Sequence, residues 1–487
     1  MKRREFAIRA GIWAGLKVSR AQTSSSGRRP FSDILVVLPG IMGSVLAKDG
    51  KDLWNPSFDA FFSAVVQPRR IPEELLLRHD SAEADDLGDG IQASRLLQDV
   101  HLVPGFWRID GYTGITQRLQ EAFALKPGDN YFEFAYDWRR DNRAHARRLK
   151  RLSDGWLKAW RERSGNSSAK LVLLAHSMGG LIARYFTECL DGWHNTKSLV
   201  TFGAPFRGSL NALNVLANGV NIAGTRLDAF STIARTLTSI YQLLPQYACY
   251  DPGTGSLGRV GQTRGIPNVD YRRAAEALHF HLEMDEAAER NRKNDDYRRN
   301  YRLYPIVGTY QKTNQSARLA GGRVTFSQIY PGRNVEGDGT VPDVSAVPPE
   351  MTADDGVYVA QLHSSIQNTR SVLDHLIKLV SAENLSDLRG PGDRRASLEV
   401  ADVHPAGAPI EIMAHASRDA DQLAVRILEA SSGRSLQAQA MVRQSDDSWH
   451  ATIHPLPVGP YRVLIEGTAL TNPLADVFAV LDLVGPH

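Results

Sequence analysis

Apolar residues recur along this chain in two rhythms. From about Ser32 to Glu383 they come as unbroken runs: Asp33–Gly40 (DILVVLPG), Leu171–Ser177 (LVLLAHS), Ser198–Pro205 (SLVTFGAP) and the shorter Tyr304–Tyr310 (YPIVGTY). Runs without alternation suit strands buried on both faces, as in a parallel sheet covered by helices. Helical stripes lie between them. Leu149, Leu152, Trp156 and Trp160 repeat at helical spacing, and Val372, Leu373, Leu376, Ile377 and Val380 form a second stripe. Such strand–helix alternation predicts an α/β domain with a mainly parallel sheet over residues 31–383. After a polar, Gly- and Pro-containing stretch at 384–396, read as a linker, the rhythm changes to period two. Trp449, Ala451 and Ile453 alternate, and Tyr461, Val463 and Ile465 share one face while Arg462 and Glu466 point the other way. About seven short alternating strands in roughly 90 residues predict an all-β sandwich of immunoglobulin or fibronectin type over 397–487. Leu456–Val463 (LPVGPYRV) reads as the approach to a tyrosine corner.

Composition narrows the class without naming a chemistry. The chain has 487 residues, 42% apolar and 23% charged, which excludes disorder or a fibre and favours more than one domain. A net charge of +3 is too small to argue for a nucleic-acid partner. No run of apolar residues is long enough for a spanning helix. The two cysteines, Cys189 and Cys249, make no disulfide framework and are read as free, buried thiols, with a single bridge as the alternative. Residues 1–30 form a basic leader. Arg3-Arg4 with Phe6 resembles a twin-arginine export signal, against the alternative of a basic leader on a cytoplasmic protein.

The run LVLLAHSMGG (Leu171–Gly180) ends a buried strand on His-Ser and restarts at once on glycine. An ordinary N-cap serine would need no partners elsewhere. A nucleophile elbow needs small residues two places before and after the serine, because strand and helix approach closely there. Ala175 and Gly179 meet that need, with Ala175 replacing the usual first glycine. The elbow also needs an acid and then a histidine later in the chain. Asp338 lies between two glycines in Glu336–Pro342 (EGDGTVP), and His363 ends the stretch VYVAQLH before a helix. Ser177, Asp338 and His363 are therefore the expected nucleophile, orienting acid and general base. Asp343 lacks the glycine flanks, His375 falls within a helical stripe, and His176 adjoins the serine on a turn whose neighbours point apart. The oxyanion of acyl transfer needs backbone donors, one after the nucleophile at Met178 and one in the loop after the first strand, at Ile41 in Leu38–Leu46 (LPGIMGSVL). Gly253–Gly258 (GTGSLG) follows Asp-Pro rather than a strand and is read as a loop, not a dinucleotide site. No zinc motif occurs, and neither metal nor cofactor is expected.

Six segments in order, Pro39–Leu46 with Leu53-Trp54, Phe134–Asp141 (FAYDWRRD), Ala175–Phe186, Gly203–Ser209 (GAPFRGS), Leu243–Pro245 and Gly337–Pro342, together resemble the lecithin:cholesterol acyltransferase family, which includes phospholipid:diacylglycerol acyltransferases and lysosomal-type phospholipases. The resemblance covers about Ile34–Val380. It implies an α/β-hydrolase fold and a serine acyltransferase or lipase acting on a glycerolipid ester, with a hydroxyl acceptor or water resolving the acyl-enzyme. A phospholipid or other acyl-ester lipid is the implied substrate, with a peripheral membrane surface as a possible setting. Asp137, Trp138 and Arg139 match the family's Asp-Trp-Arg and are expected to support the site structurally. Animal members close an early lid with a disulfide; here no cysteine precedes Cys189, so a lid around Trp54–Arg78 would be held otherwise. The long insertion 206–302 is read as a cap or lid, against the alternative that its charged run Glu283–Asn300 is an additional solvated helix. The basic stretch Arg139–Arg151 is read as a solvated helix, against contact with anionic lipid. Two rival readings remain at this level: a soluble esterase of small esters, and a non-catalytic binding protein on a hydrolase scaffold.

Overall fold

The computed structural model describes residues 27–482 apart from 56–72, 99–100, 104–106, 223–224, 331, 382–395, 417–421, 445–447, 468–469 and 471. The export signal, most of the early lid segment and nearly all of the expected linker lie outside these residues.

The unbroken apolar runs form the centre of a six-stranded sheet: β1 (Ile34–Leu38), β2 (Tyr131–Glu133), β3 (Leu171–His176), β4 (Thr196–Phe202), β5 (Arg302–Gly308) and β6 (Val357–Val359). Their order is β6-β5-β4-β3-β1-β2, with every neighbouring pair parallel. All residues of β1 and β3 are buried, as strands covered on both faces should be. The chain passes from β1 to β2 on one side and returns to β3 on the other. The order thus reverses at β1/β3, which opens a crevice beyond the carboxyl ends of those strands. This is the α/β-hydrolase arrangement. Helix α1 (Thr113–Ala122) and the long α2 (Asn142–Ser164) precede the elbow helix α3 (Met178–Cys189). Of the stripe on α2, Leu149 is buried, Leu152, Trp156 and Trp160 are partly buried against the core, and Trp156 stacks on Phe132 at 4.1 Å between ring centres.

The basic stretch departs from the expected solvated helix. Arg139, Arg140, Arg143 and His145 are buried. Arg140 donates to the carbonyls of Ser81, Ala84 and Asp85, Arg147 to that of Ala82, and Arg151 pairs with Asp85. The arginines clamp an acidic segment of the same chain, so their charge is met internally.

The insertion splits in two. Its first part, with α4 (Leu210–Asn218) and α5 (Thr238–Gln242), lies over the crevice. The charged run falls at the end of α6 (Tyr271–Asn291), which packs beside the elbow helix: Phe280 stacks on Tyr185 at 5.7 Å, and Arg184 of α3 pairs with Asp285.

The C-terminal residues form two further sheets of four and five strands. The alternation is reproduced in burial: along β7 (Gly459–Gly467) inward positions Tyr461, Val463 and Ile465 are buried and face a core shared with Trp449, Ala451, Ile453 and Phe478. The Tyr461 hydroxyl donates to the Pro457 carbonyl at 2.7 Å. Nine strands occur here among the described residues. Val403–Pro405 and Val442–Arg443, at three and two residues, are too short to show a rhythm. Both cysteines are free. Among the described residues no helix is long and apolar enough to cross a membrane.

Candidate active site

Ser177 stands where β3 ends and α3 begins, with φ 52° and ψ −125°. That conformation is costly for a residue with a Cβ. It is held from both sides: the Ser177 amide donates to the Phe202 carbonyl of β4 at 2.9 Å, and the Gly180 amide closes the first helical turn on the Ser177 carbonyl at 2.9 Å. A Cβ at Gly179 would lie 2.4 Å from the Pro39 carbonyl oxygen, which gives the steric reason for a small residue two places after the serine.

His363 follows β6 by four residues, and Asp338, though 30 residues beyond β5 in the chain, lies against its end, where a Cβ on Gly308 would stand 2.6 Å from the Asp338 Cβ. His363 Nε2 lies 2.9 Å from Ser177 Oγ, and His363 Nδ1 lies 2.6 Å from Asp338 Oδ2. The other carboxylate oxygen of Asp338 accepts the Thr340 and Val341 amides at 2.9 and 2.7 Å. The His363 amide donates to the Asp338 carbonyl at 2.9 Å, locking ring and carboxylate in one plane of approach. All three residues are 5% exposed or less. Under them passes Gly203, at φ 56°, where a Cβ would stand 2.7 Å from Asp338 Oδ2 and 2.9 Å from His363 Nδ1. Its place in GAPFRGS contributed to the family resemblance, but its position beneath the relay shows only in three dimensions.

The set-aside candidates go elsewhere. Asp343 faces Thr309 Oγ1 at 2.6 Å. Burial, aided by Asp338 and Glu336, pushes its carboxyl up to about 7 against the opposing pull of Thr309. His375 lies on the terminal helix Arg370–Ser381. His176 points away from Ser177 Oγ but is tied into the same constellation, as developed below.

Met178 is the first residue of α3, so its amide belongs to the turn whose N–H groups lack intrahelical acceptors. Ile41 lines the same cavity as Ser177. The loop carrying it is held by the Asp-Trp-Arg segment. Tyr136 donates through its hydroxyl to the Pro39 carbonyl at 2.8 Å, the Tyr136 amide donates to Ser44 Oγ at 3.1 Å, and Trp138 Nε1 donates to the Ser44 carbonyl at 3.1 Å. Asp137 grips Arg139 in a buried pair at 2.6 Å, and Arg139 reaches on to Asp89 and the Glu74 carbonyl. Tyr136 and Trp138 thus hold the loop, Asp137 and Arg139 tie the segment to Glu74 and Asp89, and none of them lines the cavity beside Ser177.

The cavity beside Ser177 measures about 270 Å³. Its apolar wall comes from Pro205, Ala212, Ile240, Leu243 and Val341, chiefly from the first part of the insertion. Its polar lining includes Asn211 and Asn214 of the insertion and Arg108 with Asp402. Arg108 pairs with Asp476 at 2.7 Å and Asp402 at 3.2 Å, both from the C-terminal sheets. No local motif marks Arg108 or Asp402, which meet across nearly 300 residues of sequence. Among the described residues no group of three or more His, Cys, Asp or Glu could hold a metal ion.

Residues 61–265 match the family model for lecithin:cholesterol acyltransferase, over a segment that contains Asp137-Trp138-Arg139 and Ser177 and ends before Asp338 and His363. The resemblance read from the motifs is thus shown over that segment. A comparison with curated proteins gives no match. Among solved structures, the lipase BlEst2 of Bacillus licheniformis in its propeptide form is 13% identical, with 92% of this chain and 74% of that one covered at a TM-score of 0.35. Its mature form is 14% identical, with 73% and 95% covered at a TM-score of 0.33. CopC from Methylosinus trichosporium OB3b is 17% identical over 18% of this chain and 91% of that one, at a TM-score of 0.16. Likenesses this distant carry no argument about activity.

Proposed function

We propose that the chain is a serine acyltransferase or lipase that acts on glycerolipid acyl esters through an acyl-enzyme on Ser177. The family match supports an enzyme that handles lipid acyl esters, and the observation that carries the finer reading is the relay Ser177 Oγ–His363 Nε2, His363 Nδ1–Asp338 at 2.9 and 2.6 Å beside a cavity with both apolar and polar walls. His363 takes the Ser177 proton as Oγ attacks the ester carbonyl. The Ile41 and Met178 amides receive the negative charge that develops on the carbonyl oxygen. His363 then passes the proton to the departing alcohol, leaving the acyl group on Ser177. A second hydroxyl, deprotonated by His363, attacks the acyl-enzyme and frees the serine. When that hydroxyl belongs to an alcohol the product is a new ester, and when it belongs to water the product is a free acid.

The test is incubation with acyl-labelled phosphatidylcholine, with and without a sterol or diacylglycerol acceptor, beside a Ser177→Ala control. Labelled ester that requires the acceptor is the expected product. Labelled free acid alone assigns the hydrolytic alternative. Equal product from wild type and Ser177→Ala overturns the serine mechanism, as does failure of a fluorophosphonate to label wild type at Ser177.

A further inference from the structure

His176, the residue before the nucleophile, has no part in the proposed proton transfers, yet both of its ring nitrogens are engaged. Nε2 lies 3.1 Å from the His363 carbonyl oxygen, and Nδ1 lies 3.0 Å from the Tyr112 hydroxyl. The same hydroxyl accepts the Gly40 amide at 2.6 Å. Both His176 and Tyr112 are buried.

The direction of every bond in this chain is determined. A carbonyl only accepts, so His176 Nε2 carries a hydrogen. In a neutral ring Nδ1 is then an acceptor, and the Tyr112 hydroxyl donates to it. That leaves the Tyr112 oxygen to receive the Gly40 amide. Burial, with the nearby His363 ring, holds His176 well down, to about 3, so the ring stays neutral and the pattern persists. One imidazole therefore connects two loops that approach Ser177 from different strands. Through Tyr112 it reaches Gly40, the residue just before the expected oxyanion donor Ile41. Through Nε2 it reaches the backbone of the expected base.

We propose that His176 is a positioning residue, and Tyr112 its extension, which together hold the oxyanion loop at Gly40 and the backbone of His363 at fixed separation on either side of Ser177. The inference rests on the serine mechanism proposed above. With the Gly40 amide turned inward to Tyr112, the next peptide is free to direct the Ile41 amide into the cavity. Loss of the Tyr112 hydroxyl leaves that peptide held only through the Pro39 carbonyl on Tyr136, and the Ile41 donor loses its aim.

The test compares wild type with Tyr112→Phe on a p-nitrophenyl ester and on its thionoester, whose sulfur draws little from an oxyanion hole. In Tyr112→Phe, kcat on the ester is expected to fall about tenfold or more, short of the roughly 10²–10³ that outright removal of an oxyanion donor costs. KM and the rate on the thionoester stay within about twofold, a selectivity that a general loosening of the fold would not produce. Tyr112→Met removes the same hydroxyl with a flexible apolar side chain, and it carries the same expectation if Tyr112→Phe does not fold. Ester activity within twofold of wild type in either folded variant, or equal losses on ester and thionoester, overturns the inference. A wild type that neither turns over the ester nor takes up a fluorophosphonate overturns the serine reading instead, so the two failures are distinguishable.

Discussion

The backbone at Ser177 makes a prediction that activity measurements alone would miss. At φ 52° and ψ −125° the residue sits where a Cβ costs about 1–3 kcal/mol. Glycine carries no such cost. At an ordinary position Ala is more stable than Gly by about 0.4–1 kcal/mol, because glycine has more freedom to lose on folding. At Ser177 the order should invert. Subtracting the entropy difference from the strain leaves Ser177→Gly more stable than Ser177→Ala by up to about 2.6 kcal/mol, centred near about 1.3 kcal/mol. Both variants lose the hydroxyl and its bond to His363, so that loss cancels in the comparison, and both are inactive under the proposed mechanism. The strain persists because the Ser177 amide is tied to the Phe202 carbonyl and the Gly180 amide to the Ser177 carbonyl. Equilibrium urea denaturation followed by tryptophan fluorescence measures the difference, with an unchanged slope showing that the denatured states match. If Ser177→Ala is the more stable variant by the ordinary margin, the elbow is unstrained in solution and the account of Ser177 as a residue held for its chemistry fails.

Arg139→Ala leaves the buried Asp137 carboxylate without its partner, and a loss of about 3–5 kcal/mol is expected in the same denaturation assay; a change under about 1 kcal/mol would show the pair to be dispensable. Asp343 binds its proton more tightly when folded than at its ordinary value of 3.8, so between pH 4 and about 7 the native state holds more protons and stability falls as pH rises. Asp343→Asn removes that fall, and its stability relative to wild type should improve by up to about 4 kcal/mol from pH 4 to pH 8, with a pH-independent difference as the contrary result. Ser364→Ala deletes a buried 2.9 Å bond to Asp476 beside the expected base. It should cost about 1–2 kcal/mol of stability and lower kcat several-fold with KM unchanged, and full activity would show that this bond does not position His363.

Much of the main sheet was legible because its inner strands are long and apolar on both faces, so β1, β3 and β4 announce themselves without knowledge of their neighbours. The meeting of Ser177, Asp338 and His363 was legible for a different reason. Each stands at a chain reversal marked by glycine or by the start of a helix, and their order is one that a parallel sheet can bring to one rim. Tyr131–Glu133 was not legible, since three residues are too short for periodicity and the strand exists because β1 supplies a pairing edge, whereas Val357–Val359 was visible as the start of the alternating stretch that ends at His363. The arginines after Asp137 were misjudged because a charge run looks solvated until its partners are known. Here the partners are carbonyls and carboxylates about 60 residues earlier. Tyr112 and His176 carried no usable signal, since their role depends on bonds to a glycine amide and to a carbonyl that any sequence would supply.

The surroundings of His363 explain how the proposed base, which follows so short a strand, can be held in place. Three residues of β6 offer few ladder bonds, and a loop leaving such a strand would ordinarily be among the first parts of a protein to open. This loop is fastened residue by residue. Ala360 and Leu362 are buried in the core of the C-terminal sheets, while Val359 and Ile366 belong to the core of the main sheet. The Gln361 side chain donates to the Pro473 carbonyl at 3.2 Å and accepts the Ala475 amide at 3.1 Å. The His363 carbonyl faces His176, the Ser364 hydroxyl donates to Asp476, and the Ser364 carbonyl accepts the Asp110 amide at 2.9 Å. Asp110 in turn is gripped by Arg462 of the C-terminal sheets. The base is thus fixed from two cores at once, and the fastening falls on both its neighbours in the chain. A ring held this way keeps Nε2 near Ser177 Oγ without first having to find it, which is the entropic advantage that positioning gives to an acyl-transfer site.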